Sequence, residues 1–424
     1  MARRLWILLL TFGLGFFWNP VAQAALTVDV TKSVSSALPI AIPSFGPGLP
    51  GQPSVAEVIR SDLSHSGLFR VLAPGSYPGD PHQPIEVKAS SWSGIGATGL
   101  AIGDTQKQAN GDYVVQVYVY NVQTGQELAA RRYTCSPAEL HMTAHHVADL
   151  IYQAFTGKAG PFAARIAYVR QIGNEYTLLV AESDGWNPHP VVRGRMPVFS
   201  PVWSPDNHRL AYVTYHDARA IIYIQNLATG QRQAVAPGGE IVSAPAFSPN
   251  GRELAYARAQ GGATNLYVVD LATGQRRQLT HGSAINTSPS WAPDGQHLVF
   301  VSDRAGSPQI YSMDVAGGEV HRLTFSGNYN ASPVYSPTGQ DIAFIHRTGG
   351  VYALAVMRAD GSDLRVLDAQ GNCDHPSFAG NGQMILYGTQ RGGRKVLAEA
   401  SVDGKTLAIL RGAAGEDSQP AWSH

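Results

Sequence analysis

The chain predicts two folded parts, an N-terminal α/β domain followed by a six-bladed all-β propeller. The ring is expected to close by pairing its N- and C-terminal strands in one sheet. Three observations carry this. A Pro-x-aromatic motif recurs six times through the C-terminal half at a near-constant interval. Each interval has the length and turn chemistry of one four-stranded blade. The two ends of the repeat region are incomplete in complementary ways.

The repeat prolines are Pro201, Pro245, Pro289, Pro333, Pro376 and Pro420, each 44 residues after the last except for one step of 43. Two residues after them stand Trp203, Phe247, Trp291, Tyr335, Phe378 and Trp422. Residues two apart on a strand share a face, so each aromatic points the same way in its copy and is expected in the core. A tight turn follows, as in Ser204–Asn207, Ser248–Gly251, Ala292–Gly295 and Ser336–Gly339. Proline presets the first corner of such a turn, and Gly or Asn takes the left-handed one. Ala379–Gly382 is a degenerate copy lacking the second proline, and Asn207 replaces a turn glycine. An apolar strand comes next, marked by Leu210/Tyr212, Leu254/Tyr256, Leu298/Phe300, Ile342/Phe344 and Ile385/Tyr387. A third strand, a turn at Gly230, Gly274, Gly318, Gly361 or Gly404, and a short fourth strand complete each unit.

Ile166-Ala167-Tyr168 repeats the second-strand motif with no first strand before it, while Pro420-Ala421-Trp422 is a first strand with no second strand after it. The spacing predicts that Gln419–Ser423 pairs beside Arg165–Arg170. That closure leaves no sticky open blade.

The first 24 residues read as a secretory signal, not as fold. Arg3 and Arg4 precede the apolar run Leu5–Trp18, and Ala22-Gln23-Ala24 is a small-x-small cleavage site. No Cys follows it, which argues against a lipid-anchored N-terminus. Residues 25–36 alternate like an edge strand or arm. Residues 37–160 are assigned to the α/β domain and 161–424 to the propeller. Within the former, Leu38–Phe45, Phe69–Leu72 and Leu128–Cys135 read as strands, and Thr98–Asp104 with Asp112–Asn121 as a hairpin around Asn110-Gly111. Pro53–Leu63 and Pro137–Phe155 have helical spacing, the latter burying Leu140, Ala144, Val147, Leu150, Ile151 and Ala154. Thr156–Phe162 is the linker.

Composition excludes several function classes. Charged residues make up 15% of the chain and the formal net charge is zero, so nucleic acid or an anionic membrane is not an expected partner. Cys135 and Cys373 are the two cysteines, too few for a disulfide scaffold, and are expected to stand as separate thiols. No G-x-S-x-G elbow, P-loop or zinc-finger spacing occurs. His141 and His145 stand at i, i+4, a spacing that suits a metal pair. Met142 occupies the position where a metalloprotease helix carries glutamate, and the histidines are expected to face solvent, with no metal or cofactor. Asp270, Asp303 and Asp314 are expected to cap turns rather than ring an ion. The competing class is a propeller enzyme, lactonase- or lyase-like, with a site assembled in the central channel.

Five stretches resemble the TolB family: Phe199–Asp206 (FSPVWSPD), Leu210–Tyr215 (LAYVTY), Ala244–Gly251 (APAFSPNG), Asn265–Gly274 (NLYVVDLATG) and Asn286–Trp291 (NTSPSW). The resemblance extends to the signal and the N-terminal domain. It implies a non-enzymatic periplasmic protein of the Tol-Pal system that supports outer-membrane integrity and cell division. It implies binding of Pal, the peptidoglycan-associated lipoprotein, through one propeller face, and of TolA through the mature N-terminal arm. Some members are also hijacked by imported bacteriocins. The matching arm is Leu26, Thr27, Val28, Asp29, Val30, Thr31 and Lys32. The residues matching the Pal-facing loops include Ile241, Ala244, Asn286, Thr287 and Ser288.

Overall fold

The structure, a computed structural model, describes residues 37–217, 219–235, 241–410, 412 and 414–424. The signal segment and the arm Leu26–Lys32 lie outside the described residues. No helix among the described residues is long and apolar enough to cross a membrane.

Residues 38–156 build one five-stranded sheet with helices on both faces. Its strands are β1 (Leu38–Ala41), β2 (Phe69–Val71), β3 (Gly99–Lys107), β4 (Tyr113–Asn121) and β5 (Gln126–Cys135), in spatial order β2-β1-β3-β4-β5. β1 runs parallel to β2 and β3, while β3, β4 and β5 form an antiparallel meander. Helix α1 (Val55–His65) starts at Ser54, which forms a capping box with Glu57. These reciprocal bonds satisfy two end groups of the helix backbone. Helix α2 (Ala89–Gly94) was not legible in the hydrophobic pattern. Its Trp92 packs on Ala41, Leu100 and Ile102, while α1 and α3 (Leu140–Thr156) cover the other face with Ile59, Leu63, Val147 and Ile151. α3 ends at Gly157, whose φ of 72° is the left-handed cap that glycine permits. The carboxylate of Asp149 accepts from Phe162 N and Ala163 N, pinning the linker back onto α3.

Six four-stranded antiparallel sheets follow. Blade one consists of Glu416–Trp422, Arg165–Ile172, Glu175–Glu182 and His189–Gly194, and blade two runs Val198–Trp203, Arg209–His216, Arg219–Asn226 and Arg232–Ala234. Blade three runs Ile241–Phe247, Glu253–Gln260, Ala263–Asp270 and Arg276–Gln278. Blade four runs Asn286–Trp291, His297–Ser302, Gln309–Asp314 and Val320–Arg322. Blade five runs Asn330–Tyr335, Asp341–Thr348, Val351–Arg358 and Arg365–Asp368. Blade six runs Asp374–Phe378, Met384–Arg391, Arg394–Ser401 and Leu407–Leu410. The ring closes as the spacing predicts, with Ala421 opposite Ala167 and Trp422 opposite Ile166. Trp422 and Tyr168 share one core cluster.

The hydrophobic cores lie between blades. Each of the six junctions has its own buried cluster, so each sheet is held on both faces. Five of the six repeat aromatics are buried, while Tyr335 is half-buried. Two of them also bond to the preceding blade, Trp203 Nε1 to Ala421 O at 3.0 Å and Trp291 Nε1 to Ala246 O at 3.1 Å.

All six first strands carry the same irregularity. The pairing register shifts around each repeat proline, at a β-bulge. The residue before each proline has positive φ: Ser200 48°, Ala244 50°, Ser288 51°, Ser332 50°, His375 44° and Gln419 52°. Proline belongs here because a bulge does not ask it for the ladder N–H it lacks.

Candidate functional site

Strand order gives the ring two distinct ends. First-to-second and third-to-fourth turns gather at one end. Second-to-third hairpins and the connections to the next blade gather at the other. The N-terminal domain sits on the first end. Asn381 Nδ2 donates to Ala159 O at 3.0 Å, and Lys158 Nζ to Gln383 Oε1 at 2.9 Å. Gly67 lies so close to Thr406 that a Cβ there would fall 1.7 Å from its Oγ1.

The opposite end carries most of the large exposed apolar side chains. Ile172 and Tyr215 stand at second-to-third hairpins, Met196, Ile285 and Phe325 on connections between blades, and Ile241 at the start of the first strand of blade three. Phe325 is 75% exposed and Ile241 66%. Single exposed hydrophobes are ordinary on a protein surface, and it is their shared placement at one end that makes this face the candidate site.

The structure sorts the sequence-predicted contacts. Ile241 is exposed on this face, and Ala244, Thr287 and Ser288 are half-buried at the bulges. The expectation that Asn286 faces a partner is corrected, because its side chain is completely buried. Its amide donates to Thr264 O at 3.1 Å and its Oδ1 accepts from Arg304 at 2.9 Å, so it anchors the loop from inside. Sequence reasoning missed Ile172, Met196, Tyr215, Ile285 and Phe325. Their signal was an apolar residue in a segment otherwise built of turn formers. Asp270 and Asp314 cap turns as expected, Asp270 accepting from Ala272 N and Thr273 N and Asp314 from Ala316 N. Asp303 instead accepts from Ile285 N, 18 residues earlier, and ties the connection between blades to its own blade. Cys135 and Cys373 are separate buried thiols, and burial pushes Cys373 up to about 12.

A second constellation lies where α3 meets blade one. His141 and His145 were expected to face solvent, and the structure corrects this: both are buried, and His146 is the exposed one. The spacing was right for one shared face, but that face turns inward onto the propeller. His145 Nδ1 donates to Asp62 Oδ2 on α1 at 2.7 Å. His141 Nδ1 contacts Glu182 Oε2 at 2.8 Å, and its Nε2 lies 3.4 Å from Asp184 Oδ2. Trp186 stacks on His141 at 4.8 Å between ring centroids and closes the cluster from outside.

Burial disfavours a charged His145, yet Asp62 and Asp184 outweigh that cost and hold it well above the ordinary histidine range. Burial likewise opposes ionisation of Asp184, but His145 and His141 win and keep its carboxyl below the usual value. Burial raises Asp62 to about 6 despite His145, and raises the enclosed Glu399 to about 8. Among the described residues, His141, His145 and Glu182 form the one group with ligand atoms close enough to hold a metal, within 4.8 Å of one another.

Comparison with known proteins agrees with this architecture. Residues 152–424 match the TolB beta propeller domain family, and residues 26–128 the TolB amino-terminal domain family. A Tol-Pal system protein TolB from Methylobacillus flagellatus is 40% identical over 237 residues, covering 55% of this chain and 54% of that relative. One from Coxiella burnetii is 38% identical over 231 residues, covering 52% of this chain and 53% of that relative. The aligned part thus spans about half the length of these curated relatives. The crystal structure of TolB from Acinetobacter baumannii superposes with a TM-score of 0.87 at 34% identity, over 94% of this chain and 100% of that one. With its ring, its N-terminal domain and both family matches in place, the chain belongs to the TolB family.

Proposed function

We propose that the protein is a non-enzymatic docking protein of the periplasm, serving the Tol-Pal system in outer-membrane integrity and cell division. The propeller face away from the N-terminal domain binds Pal, and Leu26–Lys32 bind TolA. The observation that supports Pal docking is the gathering of Ile172, Met196, Tyr215, Ile241, Ile285 and Phe325 on that one face. A rigid ring presents such side chains with little ordering cost, and buried apolar anchors carry most of the energy of a protein interface. The alternation in Leu26–Lys32 suits addition to a partner's sheet edge, where backbone bonds supply the affinity. The domain boundaries read from the sequence fit this division of labour, with the arm ahead of a body that supports the ring.

The test is titration calorimetry with purified Pal and TolA periplasmic domains. Ile241→Asp with Phe325→Asp is expected to weaken Pal binding at least tenfold, about 1.4 kcal/mol, and to leave TolA binding alone. Removing residues 25–32 is expected to do the reverse. Unchanged Pal affinity in the double variant contradicts the face assignment, and unchanged TolA affinity after the deletion contradicts the arm.

A further inference from the structure

We propose that His141, His145, Glu182 and Asp184 form a site for a divalent cation of the zinc class, stapling α3 to blade one. The atom that points to it is His145 Nε2. His145 is completely buried, and among the described residues this nitrogen has no hydrogen-bond partner. It faces Glu182 Oε2 at 3.6 Å and Asp184 Oδ1 at 3.7 Å. Those separations are too long for hydrogen bonds. They are near the edge of a tetrahedron of ligands, about 3.3 to 3.4 Å when each bond is about 2.0 to 2.1 Å.

The surroundings fit the same reading. The other nitrogen of His145 is held by Asp62 at 2.7 Å. An outer carboxylate of this kind fixes a ligand histidine's orientation and leaves its far nitrogen free to bind metal. His141 stands one helical turn earlier, and its ring nitrogens reach Glu182 at 2.8 Å and Asp184 at 3.4 Å. One of them can serve as ligand with a small rotation of the acids.

Charge argues in the same direction. Asp62, Glu182 and Asp184 converge here, and among the described residues no lysine or arginine forms an ion pair with them. Without metal, the charged His145 is the cation that faces these carboxylates. A dication that displaces its Nε2 proton supplies more positive charge in the same place. Two imidazoles with carboxylates suit zinc, whereas calcium and magnesium take oxygen donors alone. The ligands come from different parts of the chain. His141 and His145 belong to the N-terminal domain, Glu182 ends the third strand of blade one, and Asp184 lies in the turn after it. A bound ion therefore fixes the angle between domain and ring.

The test uses the tag-free mature chain, stripped with a chelator, dialysed and titrated with zinc chloride. Metal content and thermal melting are measured, and cobalt chloride gives a separate absorbance readout. The expected result is one zinc per chain, a raised Tm, and cobalt bands in the visible of the strength tetrahedral sites show. His141→Gln and Asp184→Asn are expected to weaken zinc binding at least tenfold while melting like the stripped parent. Asp184→Asn preserves side-chain volume and keeps the test decisive if His141→Gln does not fold. His146→Ala, at the exposed neighbour, is expected to bind zinc like the parent. A parent chain that neither retains zinc nor gains Tm overturns the site. Variants at 141 and 184 that bind as the parent does, or a loss of binding in His146→Ala, overturn it as well.

Discussion

Asn207 occupies a turn corner that glycine fills in its sister blades, at a φ of 58°. Its side chain does what glycine cannot. Nδ2 donates to His424 O at 2.6 Å and Oδ1 accepts from His424 N at 3.1 Å, tying the closing segment to blade two. Asn207→Gly keeps the turn but loses both bonds, so it is expected to lower stability by roughly 1 kcal/mol. Asn207→Ala also keeps the left-handed strain, and a loss of roughly 2 kcal/mol is expected in urea unfolding. A glycine variant as stable as the parent would remove this role. The histidines carry a different lesson. The i, i+4 spacing of His141 and His145 was legible, but their burial was not, because it depends on Asp62 from α1 and Asp184 from blade one. Nothing local in the helix announces partners so far away in the chain.

At the scale of the element, the first strand of each blade is the unit the sequence marks best. Its proline, aromatic and turn lie within a few residues, so local chemistry alone predicts them. The positive φ before each proline was invisible, because Ser, Ala, His and Gln at those positions do not advertise a left-handed backbone. The sheet imposes it, at a cost of about 1 to 2 kcal/mol per residue that the junction cores offset. A β-branched side chain is excluded there. Ala244→Val is therefore expected to destabilise the protein by roughly 2 kcal/mol, with Ala244→Gly within about 1 kcal/mol of the parent. Equal unfolding midpoints for the valine variant and the parent would contradict the bulge account. Helix α2 escaped the sequence reading for another reason. It is six residues long and buries one large side chain, Trp92, too little for a helical period to show.

At the scale of the molecule, the repeat count and the two incomplete ends were enough to foresee a closed ring of six. The assignment of its ends was harder. The exposed apolar residues sit in connections, hairpins and strand ends whose sequence does not repeat, so periodicity says nothing about them. They become a surface once the strand order places them at one end, with the N-terminal domain on the other. A ring with a buried core at every junction has little freedom to deform, so partner binding is expected to register in loops rather than strands. Hydrogen–deuterium exchange of the mature chain, with and without saturating Pal, tests this most directly. The account predicts protection confined to the hairpins and connections around 172–175, 195–197, 216–219, 281–285 and 324–329, and to the strand start at Ile241. Protection on the turns facing the N-terminal domain, with none on those connections, would contradict it.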